Sequence, residues 1–169
     1  MELHDEVITL RPFKIEDAQE HLEGEDNEQV KWLSGGKSTL EGVQNWIEKN
    51  QKQWGENGHI YNFAIVDSNN KLVGMVEANS DYKNLEGLQE KDANISYGLY
   101  PFARSKGYAT RAVNLITEFL KDKNFERAVI RVNPENENSL KLPLRCGFIE
   151  QGEVTTKSSE RLKIFIKNL

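Results

Sequence analysis

The 169 residues, 37% hydrophobic and 29% charged, suffice for one domain with a substantial core and do not have the composition of a disordered chain. A net charge of -5 argues against nucleic-acid backbones as partners, which require a basic face, and favours a cationic partner. The single cysteine, Cys146, excludes an internal disulfide and a Cys-based zinc site, no apolar run spans a bilayer, and MELHDE lacks a leader's apolar stretch, so a cytoplasmic protein without metal or membrane partner is expected.

VITLRPF (7–13) alternates and predicts a first strand that stops at Pro12. KIEDAQEHLEGEDNEQVKWL (14–33) predicts a helical stretch broken near Gly24. Seven carboxylates fall in it, Glu16, Asp17, Glu20, Glu23, Glu25, Asp26 and Glu28, with no Lys or Arg between them. Trp32 and Leu33 close the stretch and are expected in the core, with the lining of a binding cleft as the alternative. SGGKS is a turn. Ser38 with Glu41 forms a capping-box pattern. Behind it Val43, Trp46, Ile47 and Trp54 share one helical face. IYNFAIVD (60–67) and KLVGMVEANS (71–80) predict strands joined by a hairpin turn at SNN. DYKNLEGLQEKD (81–92) is a polar loop, and ANISYGLYP (93–101) a strand ended by Pro101.

From Gly107, the residues Ala109, Ala112, Val113, Ile116, Phe119 and Leu120 recur at helical steps and predict an amphipathic helix to about Lys123. RAVIRVN (127–133) is a strand, NENSLKLPLRCGF (136–148) a short helix ending at Gly147, and EVTT with RLKIFIKN a closing hairpin. The order is β-α-α-β-β-β-α-β-α-β-β. The strand–helix–strand unit over 95–133 implies a parallel pair with a crossover helix, and the hairpins imply an antiparallel remainder. The expected fold is mixed α/β (α+β): a single, mostly antiparallel sheet with a central parallel strand pair, flanked by helices, in one domain over residues 1–169.

RSKGYATRAV (104–113) sets Arg104, Lys106 and Arg111 together without an acid, in an acidic chain. A strand feeding a helix at Gly107 presents unpaired N–H groups, which with the helix dipole favour an anion. Gly107 and Ala109 keep side chains out of its way, and arginine can add paired donors. The stretch is neither a Walker loop nor a dinucleotide fingerprint. From these residues alone, a solvated basic helix cap is an equally good reading.

The wider pattern is more specific. RSKGYA fits the [RQ]-x-x-G-x-[GA] acetyl-CoA loop of the GNAT superfamily of N-acetyltransferases, which the chain resembles over most of its length. ISYGLYPFARSKGYATRAV resembles the family's fourth strand, loop and third helix. IRVNPENENSLKLPLRCGF resembles its fifth strand and fourth helix, and ITLRPFKIEDA its first strand and helix. The branch it most resembles is that of the ribosomal-protein alanine N-acetyltransferases (RimJ/RimL-like). The resemblance implies acetyl-CoA as co-substrate and an amine acceptor, whether peptide N-terminus, polyamine, aminoglycoside or another small-molecule amine, in a monomer or homodimer.

By that resemblance, the backbone of Tyr97, Gly98, Leu99 and Tyr100 would pair with pantetheine. Arg104, Ser105, Lys106, Gly107, Tyr108, Ala109 and Thr110 would hold the pyrophosphate. Asn136 would bond to the pantetheine arm, with Ser139 near the sulfur. Helix capping is the plain alternative for Asn136 and Ser139. Many relatives protonate the leaving thiolate with a tyrosine four residues before the Gly of the Gly-Phe pair. Here that position is Pro143, which leaves Ser139 as the local substitute. A thiolate of pKa about 8.5 leaves tolerably without an acid. Pro143 also cannot donate to the Ser139 carbonyl, so a short or kinked helix is expected. Cys146 reads as a small buried residue rather than an acetyl carrier.

Glu77, in the strand before the cofactor strand, is the first candidate base and Asp81 the second, with solvated carboxylates as the alternative for both. His59 is nearby but carries little weight. An α-amine of pKa about 8 costs about 1 kcal/mol to deprotonate at pH 7, and a lysine-like amine of about 10.4 costs about 4.6 kcal/mol. The acidic stretch 16–28 would attract a cationic acceptor, or is an ordinary solvated helix face. Two other classes remain open: a non-catalytic acyl-CoA-binding or regulatory module, and a phosphate- or nucleotide-binding protein.

Overall fold

The computed structural model describes every residue except Asn57. Its first elements are β1 (Leu3–His4), β2 (Ile8–Pro12), a 3-10 turn (Ile15–Asp17), α1 (Ala18–Gly24), α2 (Asn27–Gln29) and a wide helical turn (Val30–Ser34). Next come α3 (Leu40–Gly55), β3 (Ile60–Asp67), β4 (Leu72–Asn79) and β5 (Asp92–Leu99). A 3-10 turn (Pro101–Ala103) leads to α4 (Tyr108–Asp122), β6 (Arg127–Val132), α5 (Glu137–Arg145), β7 (Ile149–Thr155) and β8 (Arg161–Asn168). The strands form one sheet in the order β1-β2-β3-β4-β5-β6-β8-β7, antiparallel except for β5 beside β6. The mixed, mostly antiparallel sheet and its central parallel pair are therefore as the sequence implied.

Strand alternation divides the core into two clusters. On one face Phe63, Ile65, Val76, Ala78 and Ile95 meet Val113, Ile116 and Leu120 of α4. On the other Ala64, Val66, Leu72 and Tyr100 meet Phe13, Ala18, Val43 and Ile47. The helical break falls after Gly24, where Glu25 turns extended, and a Cβ on Gly24 would lie 2.5 Å from the Tyr100 ring. One turn earlier His21 Nδ1 lies 2.6 Å from the Tyr100 hydroxyl, and its ring stacks on Trp46 at 5.1 Å. Burial pushes the His21 pKa down to about 4, so at neutral pH a neutral imidazole shares a hydrogen bond with the Tyr100 hydroxyl.

The structure corrects four local expectations. The cap of α3 is Thr39, whose Oγ1 accepts from the Gly42 N–H at 3.1 Å. Ser38 instead donates to Glu25 through its N–H (2.9 Å) and hydroxyl (2.5 Å), so the long-range carboxylate displaces the local box. The short β1 carries no alternation of its own and exists by pairing with β2. The closing hairpin is longer than EVTT, with a register irregularity between Glu150 and Glu153. Trp32 and Leu33 are not core residues: Trp32 donates to Glu28, and Leu33 is 41% exposed.

Candidate active site

Parallel pairing of β5 with β6 covers only Asp92–Asn94 against Arg127–Val129. Beyond Asn94 the two strands separate, whereas β4 stays paired with β5 through Leu99. Tyr100 donates its N–H to the Val73 carbonyl at 3.0 Å. Alternation along the antiparallel ladder then turns the Gly98 peptide groups toward β4 as well, and those of Tyr97 and Leu99 toward the gap. Of the four backbone positions expected to meet pantetheine, the fold thus presents two to the gap and two to the neighbouring strand.

The gap leads to the loop before α4. Ser105 and Gly107 both have positive φ (61° and 79°), which winds the backbone tightly over residues 104–107. Only Gly107 adopts that conformation without strain. It is the N-cap of α4, offers no side-chain cap, and has no neighbour within 4 Å of where a Cβ would stand. Arg111 N–H already donates to the Gly107 carbonyl, so the open donors are those of Tyr108, Ala109 and Thr110. Their first turn has no acidic residue, and Ser105, Lys106 and Gly107 are exposed. A shallow cavity of about 710 Å³ begins here, between Gly107, Thr110 and Lys167.

The arginines of this stretch point elsewhere. Arg104 forms a two-pronged pair with Asp26 (2.7 and 2.9 Å), and its Nε donates to the Leu99 carbonyl at 3.2 Å. Arg111 donates to Asp5 at 2.8 Å. Lys106 has no ion pair among the described residues.

Across the gap, Asn136 caps α5, its Oδ1 accepting from the Ser139 N–H at 3.3 Å. Pro143 sits inside α5 and has no N–H for the carbonyl of Ser139. That carbonyl instead accepts from the Tyr97 hydroxyl at 3.3 Å, which ties the free half of β5 to α5. Burial pushes the Tyr97 phenol up to about 12 and keeps it protonated. The sequence reading used Tyr97 only for its backbone; the proline that frees a carbonyl was the available signal. Cys146 is buried, and burial raises its thiol pKa.

On the α1–α3 face a polar row crosses the sheet, Asn62 on β3, Glu77 on β4 and Ser96 on β5, in direct register. Burial pushes the Glu77 carboxyl up, against the hydrogen bond it receives from Asn62 Nδ2 at 2.8 Å. Asn62 Oδ1 is buried without a partner among the described residues. Two residues along β5, Gly98 lies beneath Gln29 and Leu33. Gln29 is buried with its Nε2 unpartnered, and sequence reasoning missed it. Asp81 accepts from Asn84 in the loop after β4, and exposed His59 joins that loop through its carbonyl.

The acidic stretch divides. Asp17 pairs with Arg11 (2.7 Å), Glu25 holds Ser38, Asp26 holds Arg104, and Glu28 accepts from Trp32. Glu16, Glu20 and Glu23 line an open cavity of about 700 Å³ with Lys71 and Phe102.

A family model described as acetyltransferase (GNAT) domain matches residues 8–149. No curated protein sequence matches the chain. Among solved structures, the microcin C7 self-immunity acetyltransferase MccE, in complex with acetyl-CoA and AMP, is similar at 23% identity and a TM-score of 0.80, over 98% of this chain and 94% of that one. The ribosomal-protein-S5-alanine acetyltransferase of Vibrio fischeri is similar at 22% identity and 0.80, over 99% and 96%. The aminoglycoside acetyltransferase AAC(6')-Ib, in complex with coenzyme A, is similar at 21% identity and 0.79, over 95% and 94%. At these identities the structural likeness speaks for the fold.

Proposed function

The chain belongs to the GNAT acetyltransferase family, and from that premise we propose that it transfers an acetyl group from acetyl-CoA directly to a primary amine. The observation that carries this reading is the free edge of β5, which runs from Tyr97 and Leu99 to the uncapped start of α4 at Gly107. Pantetheine amides would pair with that edge as an added strand. The pyrophosphate would rest on the backbone of Arg104–Thr110, where main-chain donors and the helix dipole favour an anion. The relatives solved with acetyl-CoA or coenzyme A support this co-substrate.

Glu77 is the proposed base. Its raised pKa brings it closer to neutral pH, where a carboxylate is a more effective proton acceptor. The Tyr97 and Ser139 groups meet at the α5 side of the gap, and we assign Ser139 and the Tyr97 phenol to the leaving sulfur. An N–H of the free edge would face the thioester oxygen and stabilise its developing charge. The acceptor would enter between α1–α2 and β4–β5. Glu16, Glu20 and Glu23 line the open cavity beside Lys71 and Phe102, and their charge favours a cationic amine, such as a peptide N-terminus or polyamine. We propose that the protein works in the cytoplasm as one domain over residues 1–169, as monomer or homodimer.

A thiol-release assay with acetyl-CoA and a panel of peptide N-termini, polyamines and aminoglycosides tests this. Free thiol above the no-amine background is the expected result. Saturable coenzyme A binding with no thiol released from any amine would contradict catalysis and favour a non-catalytic acyl-CoA-binding module. Equal affinity for ATP and coenzyme A would contradict the co-substrate itself.

A further inference from the structure

A closed ring of contacts joins the phosphate loop to α2. Arg104 Nε donates to the Leu99 carbonyl at 3.2 Å, on the gap side of β5. Its terminal nitrogens donate to Asp26 Oδ2 at 2.7 Å and Oδ1 at 2.9 Å. Asp26 Oδ1 also accepts the Gln29 N–H at 3.0 Å, which makes it the cap of α2. From α2 the ring returns to the strand over Gly98. A Cβ there would stand 2.5 Å from Leu33 Cδ1 and 3.4 Å from Gln29 Nε2. Gln29 is 8% exposed and its Nε2 has no partner among the described residues, so a buried donor is held beside the middle of the free strand. A donor left in that state gains a hydrogen bond from any acceptor that reaches it, a water or a substrate oxygen.

We propose that Arg104 and Asp26 form a positioning clamp, which sets the acceptor wall against the cofactor strand and holds Gln29 Nε2 as donor to an oxygen of the bound substrates. This rests on the acetyl-transfer reading above. Three donors of the guanidinium are occupied within the protein, so the arginine of the motif serves geometry while the backbone beside it holds phosphate. The planar fork matters, because a lysine keeps the charge but cannot bridge both carboxylate oxygens and a strand carbonyl. A side chain at position 98 would meet Leu33 Cδ1 first, with Gln29 Nε2 behind it.

Arg104→Lys and Asp26→Asn separate a clamp from a phosphate ligand. Asparagine keeps the cap of α2 and loses the charge pairing. In each single variant the acceptor KM is expected to rise about tenfold, and the double variant to be no worse than the worse single, as coupled partners behave. Coenzyme A Kd, read by calorimetry, is expected to stay within about twofold, because three charge-assisted bonds to protein and none to phosphate are lost. Amide exchange over residues 26–34 is expected to quicken in both. A weaker coenzyme A Kd in Arg104→Lys with unchanged acceptor KM would overturn the proposal and return the side chain to the phosphates. Unchanged exchange in both variants would overturn it too. The exchange readout needs no turnover, so it decides the clamp even if the wild-type protein acetylates no amine. Gln29→Leu, which removes the donor at similar volume, is expected to lower kcat or raise the acceptor KM without changing exchange; no change in either would remove Gln29 from the account.

Discussion

The two ends of β5 are built from the same strand and do opposite things. At its start, Asp92–Asn94 is closed on both sides, by β4 and by β6, and Asp92 (1% exposed side chain) is held by Arg127 at 2.6 and 2.8 Å. At its end, Tyr97 and Leu99 have no strand on one side, and Arg104 holds a carboxylate that belongs to a helix rather than the sheet. Both ends use an arginine–carboxylate fork. The closed end uses it to finish a sheet, while the open end uses it to keep a neighbouring wall in place beside peptide groups that no strand pairs on that side. An unsatisfied strand edge inside a folded protein is a liability unless something binds it. That is why the open half reads as a site and the closed half as scaffold.

The comparison can be broken at either end, and the open end should give the larger effects. Gly107→Glu forces a side chain onto φ +79° and sets a negative charge at the α4 donors. No saturable coenzyme A binding is expected by calorimetry in a folded variant. Unchanged affinity would remove this loop from the site. Glu77→Gln is expected to lower kcat/KM about 10²-fold at neutral pH, the lower range for a general base, and to remove the acid limb of its pH profile.

The same substitution carries a sign on stability. Folding raises the Glu77 pKa, so the folded state binds the proton more tightly and this carboxyl favours folding most below the ordinary glutamate pKa of 4.5. The contribution is lost as pH rises through the raised value. Glu77→Gln should therefore raise Tm relative to the wild type more at pH 7 than at pH 4. A Tm difference independent of pH would show that burial does not act on this carboxyl.

At the closed end, Asp92→Asn leaves Arg127 without its charge partner. It is expected to lower unfolding free energy by about 2–3 kcal/mol in urea, below the range for a fully buried pair because Arg127 is a quarter exposed. Coenzyme A affinity should not change; a loss of affinity would mean that the two ends are not independent. The smallest effect sharpens the open end. Tyr97→Phe removes the bond to the Ser139 carbonyl, and about a fivefold fall in kcat is expected, less than a general acid's typical contribution because the thiolate leaves without full protonation. An unchanged kcat would make the phenol a tether alone.

Much of the open end was legible in the sequence, because it depends on local chemistry. Pro101 stops the strand, Gly107 opens the helix, and the periodicity from Ala109 to Leu120 gives the apolar face of α4. Glu77 was reachable from its place in the strand before β5. What stayed hidden depends on distant pairs. Arg104 and Asp26 are 78 residues apart, and Glu25 takes Ser38 from 13 residues away, so neither has a local pattern. For the same reason, Arg104 reads as a phosphate ligand by motif and meets a carboxylate in the fold. The early end of the parallel pairing was equally invisible, since Ile95–Leu99 remains strand-like whether or not β6 stays beside it.

Amide hydrogen exchange of the wild-type protein, with and without coenzyme A, tests the central claim most directly. Slowed exchange at Tyr97, Leu99 and Tyr108–Thr110, with Gly98 and the Asp92–Asn94 end unchanged, is the predicted result. Saturation with coenzyme A that protects none of those five amides, or protects residues elsewhere instead, would contradict it.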